Sequence, residues 1–332
     1  MSESLSQQVV DVYHSLIDAS LRQTPFDGKS KRAFNAWQKR ARRIVKKALG
    51  EMPTEKVDFE LRRETVEETE SYLWERLFYT TRPGLQASAY LLTPKNTRLP
   101  APGVIALHGH SREGKDGPVD PESIYHGFAW PFVEKGCVVL CPEQIGFNER
   151  AVPEGKVTYE VLVHGLNMLG HTLIGLRYWD LVRALDLLQD MKTVDRSRIG
   201  VMGLSLGGEM TVFLSVLQTR VKAACVAGYL TSHLNTFLDR PHCTCGHLRD
   251  LARHFEHVDL AALIAPRPLF LEAGREDPDF LYKDAQALVR DLRQVYNLHG
   301  LPRSHLGIHV HDGGHEIYGD KSVPWMVKRL NE

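Results

Sequence analysis

The fold is decided by the stretch Ile199-Gly200-Val201-Met202-Gly203-Leu204-Ser205-Leu206-Gly207-Gly208, in which a serine stands between glycines after an apolar run. Residues 198–204 predict a buried strand and residues 209–216 predict a helix. The glycines carry no Cβ atoms, so the chain can turn tightly between the two and hold Ser205 in a strained conformation. The hydroxyl then projects above the sheet, at a helix N-terminus that favours a developing anion. The pattern predicts a nucleophilic serine, with an ordinary glycine-rich turn as the alternative.

Apolar strands alternate with amphipathic helices around this turn, from residue 103 to the end of the chain. The predicted strands are 103–107, 137–141, 198–204, 221–226, 268–273 and 306–310. The predicted helices are 125–134, 171–190, 209–216, 280–295 and 324–330. This alternation predicts an α/β fold with a mostly parallel central sheet and helices on both faces. Right-handed crossovers place the carboxyl ends of the parallel strands at one edge, where we expect the ligand site.

The N-terminal third has a different pattern. Residues 5–50 predict helices, and residues 57–62, 72–80 and 87–92 predict antiparallel strands, the last two joined by a hairpin at Pro83-Gly84. We therefore expect a helical extension over residues 1–53 and one α/β domain over residues 54–332. Residues 231–260 fit no strand–helix unit and predict an insertion near the site.

A serine hydroxyl needs a base, and the base needs an acid to orient it. His315 follows the last predicted strand, which brings it to the same sheet edge as Ser205. Asp277 follows the fifth predicted strand, three residues after Gly274, and is the expected acid, with Asp279 and Glu276 as competitors. The sequence therefore predicts catalytic residues Ser205, His315 and Asp277.

An acyl-transfer site also needs two backbone N–H groups that stabilise the oxyanion. The amide of Leu206 comes directly after the nucleophile, and the amide of His110 lies in the loop after the first parallel strand. Gly109 beside it allows the main chain to approach a substrate closely. The side chains of His108 and His110 are expected to brace the loop.

Two groups of residues contain metal-ligand types. The first consists of His309, His311, Asp312 and His315, and the second of His242, Cys243, Cys245 and His247. Their spacings differ from those of metallohydrolases and of zinc sites, so loop structure is the expected role of both. Phosphate-binding glycine loops are also absent from the sequence, so we expect neither a metal nor a cofactor.

Composition narrows the possible partners. The 332 residues contain 41 Lys and Arg and 41 Asp and Glu, which gives a formal net charge of zero and argues against nucleic acid. The basic run over residues 39–47 predicts a solvated helix face. The five cysteines do not form a secreted disulfide framework. The N-terminus does not resemble a signal peptide and no apolar run could span a bilayer, so we expect a cytoplasmic protein without membrane contact.

From Gly103 onward the sequence resembles the α/β-hydrolase superfamily. Within it, residues 194–200 before the serine turn, and the strings at residues 265–268 and 146–150, are similar to the dienelactone-hydrolase and acetyl-xylan-esterase-like group. The resemblance implies a triad of Ser205, Asp277 and His315 that hydrolyses carboxylic esters, often short acyl groups on sugars or small alcohols. His315-Glu316 is similar to cephalosporin and xylan deacetylases, but Leu206 stands where those enzymes have glutamine and their Arg-Gly-Gln string is missing. True dienelactone hydrolases have a cysteine nucleophile, whereas this chain has a serine.

The combined expectation is a serine carboxylesterase that takes a small-molecule ester through an acyl-enzyme. A serine peptidase of the prolyl-oligopeptidase type is one alternative, although about a hundred N-terminal residues are too few for the propeller domain that usually precedes it. A non-catalytic hydrolase-fold binding protein is the other. The helical N-terminus leaves two further roles open, formation of a homo-oligomer and covering of the site.

Overall fold

The computed structural model describes residues 5–26, 30–153, 155 and 157–332, with residue 245 described by its backbone alone. A nine-stranded sheet with the order β1-β2-β3-β5-β4-β6-β7-β8-β9 forms its centre. The strands are β1 Arg62–Glu68, β2 Tyr72–Arg82, β3 Leu85–Pro94, β4 Ala101–Leu107, β5 Val138–Pro142, β6 Val194–Leu204, β7 Val221–Ala227, β8 Leu269–Gly274 and β9 Leu306–His311. The pairs from β5 to β9 are parallel, and β1, β2 and β3 pair antiparallel with one another and with β5.

Ten α-helices surround this sheet in the described part of the chain. They are α1 Leu5–Ser20, α2 Lys31–Ala48, α3 Ala129–Glu134, α4 Tyr159–Met168, α5 Leu173–Asp190, α6 Leu206–Leu217, α7 Leu251–His254, α8 His257–Ala262, α9 Tyr282–Leu298 and α10 Ser322–Leu330. None of these helices combines the length and the apolar composition that crossing a bilayer requires.

The parallel strands β4, β5, β7 and β8 bury both of their faces, which explains why their sequences are almost continuously apolar rather than alternating. On β6, Val201 belongs to one hydrophobic cluster and its neighbour Met202 to the other. The first cluster includes the buried faces of α2, α5, α6 and α9, and the second includes those of α3 and α10. The prediction of a mostly parallel sheet covered by helices on both faces is confirmed.

The predicted hairpin is also confirmed, since β2 and β3 pair antiparallel and Arg82 lies opposite Leu85. The strand predicted over residues 57–62 is wrong, because the first strand is β1, which starts at Arg62. Every residue of β1 is exposed, and its sequence is mostly charged. Charged residues are common on edge strands, where they discourage pairing with other chains, and they hide the alternation by which a strand is recognised.

Two helix predictions also need correction. Helix α4 was missed, because residues 145–175 gave no clear period. The helix predicted over residues 125–134 begins only at Ala129, since His126 and Gly127 both have positive φ values, 49° and 57°. A residue in that conformation ends regular helix geometry and forms a turn.

Helix α2 packs against the body of the protein. Its N-cap is Ser30, whose hydroxyl accepts a hydrogen bond from the Ala33 amide. Phe34 and Trp37 are buried in the same hydrophobic cluster as α5 and α6. The Gln38 amide donates to the carbonyls of Leu263 and Ala265, so α2 is joined to the segment after α8 by polar as well as apolar contacts.

Candidate active site

Ser205 stands at the junction of β6 and α6, at the carboxyl edge of the parallel strands. Its backbone has φ 59° and ψ −123°, a conformation that is costly for a residue with a side chain. The Ser205 amide donates to the carbonyl of Ala227 at the end of β7, and its carbonyl accepts from the Glu209 amide. These two bonds hold the strained turn between a strand and a helix.

The glycines around Ser205 are required by close backbone contacts. A Cβ atom at Gly203 would lie 2.5 Å from the carbonyl carbon of Gly207, and one at Gly207 would overlap with the carbonyl oxygens of Leu107 and His108. Because backbone atoms cannot move aside as a flexible side chain can, any larger residue would disturb the turn. The glycine pattern therefore reflects the tight packing of β4, β6 and α6.

The side chains of His315 and Asp277 form a hydrogen-bonded pair. The Nδ1 atom of His315 lies 2.7 Å from an Asp277 carboxylate oxygen, and the other oxygen accepts the amides of Asp279 and Phe280. The Asp277 side chain is 1% exposed. Burial alone would raise the pKa of this carboxyl, but the hydrogen bond and charge of His315, together with the two amides, outweigh it and lower the pKa.

The two competitors for the acid role lie elsewhere. Glu276 and Asp279 are both exposed, whereas the Asp277 carboxylate accepts the hydrogen bond from His315 Nδ1. The geometry therefore favours Asp277 among the three carboxylates that the sequence offered.

The loops that carry Asp277 and His315 are joined by their backbones. The Glu276 amide donates to the carbonyl of Gly313, and the Arg275 amide donates to that of His311. A Cβ atom at Gly274 would overlap with the carbonyl oxygen of Gly314. A glycine at this position lets the two loops approach closely enough for the carboxylate to reach the imidazole.

The imidazole of His315 lies beside the strand end that supports Ser205. A Cβ atom at Gly228 would be 2.9 Å from His315 Cε1, and Gly228 directly follows the Ala227 carbonyl that binds Ser205. The ring of Phe280 stacks on the imidazole with centroids 5.3 Å apart. Among the described residues, His315 is hydrogen-bonded to Asp277 and not to the Ser205 hydroxyl. Such bonds are often long before a substrate binds.

The loop after β4 lies against Ser205. A Cβ atom at Gly109 would be 3.0 Å from the Cβ atom of Ser205. The Gly109 amide donates to the hydroxyl of Tyr125 at 2.7 Å, and the His108 carbonyl accepts from the Gln144 side chain. The chain then continues to His110, which comes directly after the glycine that touches Ser205. These bonds fix the path of the loop beside the serine.

Leu206 begins α6, so its amide is one of the first amides of the helix and has no carbonyl acceptor within it. The predicted oxyanion residues thus lie on the two elements that border Ser205, the loop after β4 and the first turn of α6. The geometry can support nucleophilic acyl transfer, because an imidazole, a carboxylate and backbone amides lie near one hydroxyl.

Comparison with known proteins identifies the family of this chain. The family model of the acetyl xylan esterases (AXE1) matches residues 34–238, more than half of the chain. The chain belongs to the acetyl xylan esterase family. It is therefore a carboxylic ester hydrolase, as the sequence predicted.

The chain is similar in sequence to one curated protein and in structure to several solved esterases. YtaP of Bacillus subtilis (strain 168), which carries the name of a hydrolase, is 29% identical over 266 residues, which is 77% of this chain and 86% of YtaP. A solved structure from Bacteroides fragilis NCTC 9343, assigned as an acetyl xylan esterase, has a TM-score of 0.80 and 19% identity, and the match covers 98% of this chain and 96% of that one. A glucuronoyl esterase of Solibacter usitatus has a TM-score of 0.67 and 14% identity over 91% and 94% of the two chains. These structures share the α/β-hydrolase fold with this esterase-family chain.

Sequence reasoning missed an aromatic cluster beside the loop after β4. The ring of His110 lies 5.0 Å from that of Phe147 and 5.7 Å from that of Tyr159, at the start of α4. Arg177, which is 1% exposed, donates to the Ile145 carbonyl and to the Tyr159 hydroxyl. An arginine inside the apolar stripe of α5 was the available signal, because a buried cation must be hydrogen-bonded.

A second aromatic cluster lies on the other side of the site. Phe280 contacts His242 at 5.6 Å and Tyr229 at 6.1 Å, and Phe237 lies 4.6 Å from His242. Phe237 and His242 belong to residues 231–260, the expected insertion. Their rings connect that segment to Phe280, which itself stacks on His315. The rings of this segment thus form a chain of contacts that leads, through Phe280, to the His315 imidazole.

Two members of the first group of metal-ligand residue types make other interactions. His315 is bound to Asp277, and Asp312 pairs with Arg275 at 2.9 Å. A different set, Glu272, His309 and Asp320, has potential ligand atoms within 4.8 Å of one another. The buried Glu272 carboxylate already accepts bonds from the Ser322 hydroxyl and from the amides of residues 318 and 319. These bonds assign Glu272 to holding the start of α10.

Proposed function

We propose that this chain is a serine carboxylesterase in which Ser205 is the nucleophile, His315 the general base and Asp277 the acid. The observation that carries the proposal is the His315–Asp277 pair beside Ser205, whose backbone is held at φ 59°. The strained serine turn and the buried carboxylate each cost stability, and catalysis gives a reason for both. Family membership supports the same reaction class.

In the first half of the proposed reaction, His315 Nε2 takes the proton of the Ser205 hydroxyl while the serine oxygen attacks the ester carbonyl carbon. The amides of Leu206 and His110 donate to the oxyanion that forms. The bond to the alcohol oxygen then breaks, and His315 returns the proton to that oxygen. In the second half, water attacks the acyl-enzyme by the same route, which releases the carboxylic acid and restores Ser205.

The proposed substrates are short-acyl esters, including acetyl esters of sugars or small alcohols. The support is the family, together with similar structures whose names give acetyl xylan and glucuronoyl esterases. We infer a cytoplasmic location, because Cys137, Cys141 and Cys225 are buried free thiols, as expected in a reducing compartment.

A panel of nitrophenyl esters from acetate to octanoate, assayed with wild type and Ser205→Ala, tests the proposal. We expect the acetate to be preferred, and Ser205→Ala to reduce kcat by at least about 10⁴-fold, because nucleophile removal leaves only binding and oxyanion contributions. Ser215→Ala, a buried serine on the same helix α6, is the matched control and should retain activity. Turnover by Ser205→Ala at the wild-type rate would refute the mechanism.

Two further reagents, an aminoacyl anilide and a fluorophosphonate, separate the two alternative functions from the esterase. A peptidase of the prolyl-oligopeptidase type would cleave an aminoacyl anilide faster than the acetyl ester. A non-catalytic binding protein would turn over neither and would not react with a fluorophosphonate.

A further inference from the structure

Large apolar side chains on the surface are concentrated on two helical segments. Of the fifteen exposed large hydrophobic residues in the described chain, six belong to α1 and four to residues 157–169. Single exposed apolar residues are ordinary, but a contiguous group of them marks a binding surface. Neither group is used by the proposed reaction.

Four of the α1 residues form a line along the helix, which we name the α1 stripe. Leu5, Val9, Val12 and Leu16 have relative exposures of 80%, 70%, 60% and 60%. Their spacings of four, three and four residues place them on one side of an α-helix, as in the seam of a coiled coil. This side of α1 lacks a partner within the described chain.

Helix α1 is fixed to the protein by residues outside the stripe. Ile17 is buried, and the Tyr13 hydroxyl donates to the carbonyl of Leu238 at 2.8 Å. After the helix, the backbone amides of residues 22–24 donate to the carbonyls of residues 252–254. The helix is therefore docked on residues 231–260, and its stripe faces away from the chain.

The order of residues in the stripe is the same in both directions, Leu-Val-Val-Leu. If two copies of α1 packed antiparallel about a two-fold axis between residues 10 and 11, Leu5 would face Leu16 of the second copy. Val9 would face Val12 of the second copy. A contact that uses the same surface on both partners must be self-complementary in this way.

The charges of α1 disfavour a membrane surface as the occupant. Residues 5–20 contain Asp11, His14 and Asp18 as the side chains that can carry a charge near neutral pH, and neither lysine nor arginine. Helices that lie on membranes carry many basic residues on their polar face, which attract anionic lipids. Two acidic residues would repel such a surface.

The apolar area fits a weak, reversible contact when the second group is included. Val157, Val161, Met168 and Leu169 are exposed in and beside α4, and Met168 lines a groove of about 720 Å³ together with His254. His254 is paired with Thr24, shortly after α1. At roughly 60–120 Å² for each fully exposed side chain, the four stripe residues and these four would bury about 1,000 Å² in a pair of copies, the size of a weak, reversible contact.

We propose that the α1 stripe is the contact through which two copies of this chain form a two-fold symmetric dimer. The occupant of the surface is a second α1 helix in antiparallel orientation, and the residues exposed at α4 extend the contact. The antiparallel register pairs residue 9 of each copy with residue 12 of the other.

Light scattering with size-exclusion chromatography tests the dimer on the full chain at about 50 µM. Val12→Glu should halve the molar mass of wild type, since it buries a charge opposite Val9. The matched control Ser15→Glu adds the same charge to an exposed position of α1 outside the stripe, and should keep the wild-type mass. Because these residues are exposed, both variants should keep the wild-type circular dichroism spectrum and esterase activity.

The double variant Val9→Glu/Val12→Lys tests the register, because antiparallel pairing places each glutamate opposite a lysine of the second copy. It should recover at least half of the dimer that either single variant loses. A monomeric wild-type chain would overturn the proposal. Binding of that monomer to phosphatidylcholine vesicles would identify a membrane surface as the occupant of the stripe instead. Equal masses for Val12→Glu and Ser15→Glu, or a double variant no more dimeric than Val9→Glu, would overturn it too.

Discussion

A carboxylate at position 277 differs from its neighbours at 276 and 279 in surroundings rather than in chemistry. Asp277 is buried, accepts two backbone amides and meets the His315 imidazole, whereas the other two acids are exposed. The amides and the imidazole lower its pKa, so it stays ionised and can orient the ring. The sequence left three candidates for the acid. They differ in burial, which depends on the tertiary fold and cannot be derived from the sequence.

Asp277→Asn should reduce kcat by roughly 10³–10⁴-fold, because an amide in that place no longer stabilises the imidazolium. Asp279→Asn, two residues away and exposed, should change kcat less than about threefold. Steady-state hydrolysis of nitrophenyl acetate by both variants checks this. If Asp279→Asn carried the larger loss, the assignment of the acid would be wrong.

Among the elements, the loop after β4 depends on a residue that was not singled out from the sequence. Tyr125 is fully buried, and its hydroxyl accepts the Gly109 amide and donates to the Ser111 hydroxyl. By occupying the Gly109 amide it fixes the peptide that leads into His110. The residue lies in a turn, where neither helical nor strand period could identify it.

Tyr125→Phe should lower kcat about tenfold on nitrophenyl acetate and leave KM within about twofold. The lost hydroxyl leaves the buried Gly109 amide unpaired, and the resulting shift of the loop weakens contact with the oxyanion, which forms in the transition state. Tyr72→Phe removes an exposed tyrosine–glutamate hydrogen bond and is the control. A change in KM alone would argue that Tyr125 acts on substrate binding and not on the oxyanion loop.

Helix α8 depends on Glu256, which caps its first turn and pairs with His233. Burial opposes the charge of Glu256, but the hydrogen bond and charge of His233 outweigh it and lower the pKa to about 2 from the ordinary 4.5. Since the folded carboxyl is harder to protonate than the unfolded one, its stabilising effect is complete above about pH 4.5 and is lost as the pH falls toward 2.

Glu256→Gln should therefore lower the free energy of unfolding by on the order of 2–3 kcal/mol at pH 7. The difference in the free energy of unfolding between wild type and this variant should become smaller between pH 4.5 and pH 3. Urea denaturation at several pH values measures it, with the exposed Glu134→Gln as control. A difference in the free energy of unfolding that grows toward acid pH would mean that Glu256 is protonated in the folded protein.

For the whole molecule, the alternation of strands and helices from residue 103 was enough to predict the parallel sheet, and it placed the candidate site at the carboxyl edge of that sheet. Buried strands can be recognised in a sequence by their apolar runs, and long helices by the helical period of their apolar residues. The exposed edge strand β1, the short helix α4 and the aromatic contacts around His110 and Phe280 could not be predicted. They depend on which segments meet in space, and a single sequence does not record this.

The helical N-terminus belongs to the same hydrophobic cluster as the sheet. Trp37 is 4% exposed, packs on Phe34 and Phe255, and donates from its ring nitrogen to the Thr24 carbonyl. Trp37→Ala should lower the free energy of unfolding by about 3–5 kcal/mol, in one cooperative transition that also abolishes activity. Lys39→Ala, exposed on the same helix, is the control. Separate unfolding of the N-terminus while esterase activity persists would contradict this coupling.

The central claim is that the hydroxyl of residue 205 becomes reactive because an imidazole and a carboxylate from two distant loops stand beside it. Mass spectrometry of the wild-type chain after reaction with a fluorophosphonate tests it most directly. We predict one phosphonyl group per chain on Ser205, and none after replacement of His315 by alanine. Modification of a different residue, or unchanged labelling in the His315→Ala variant, would contradict it.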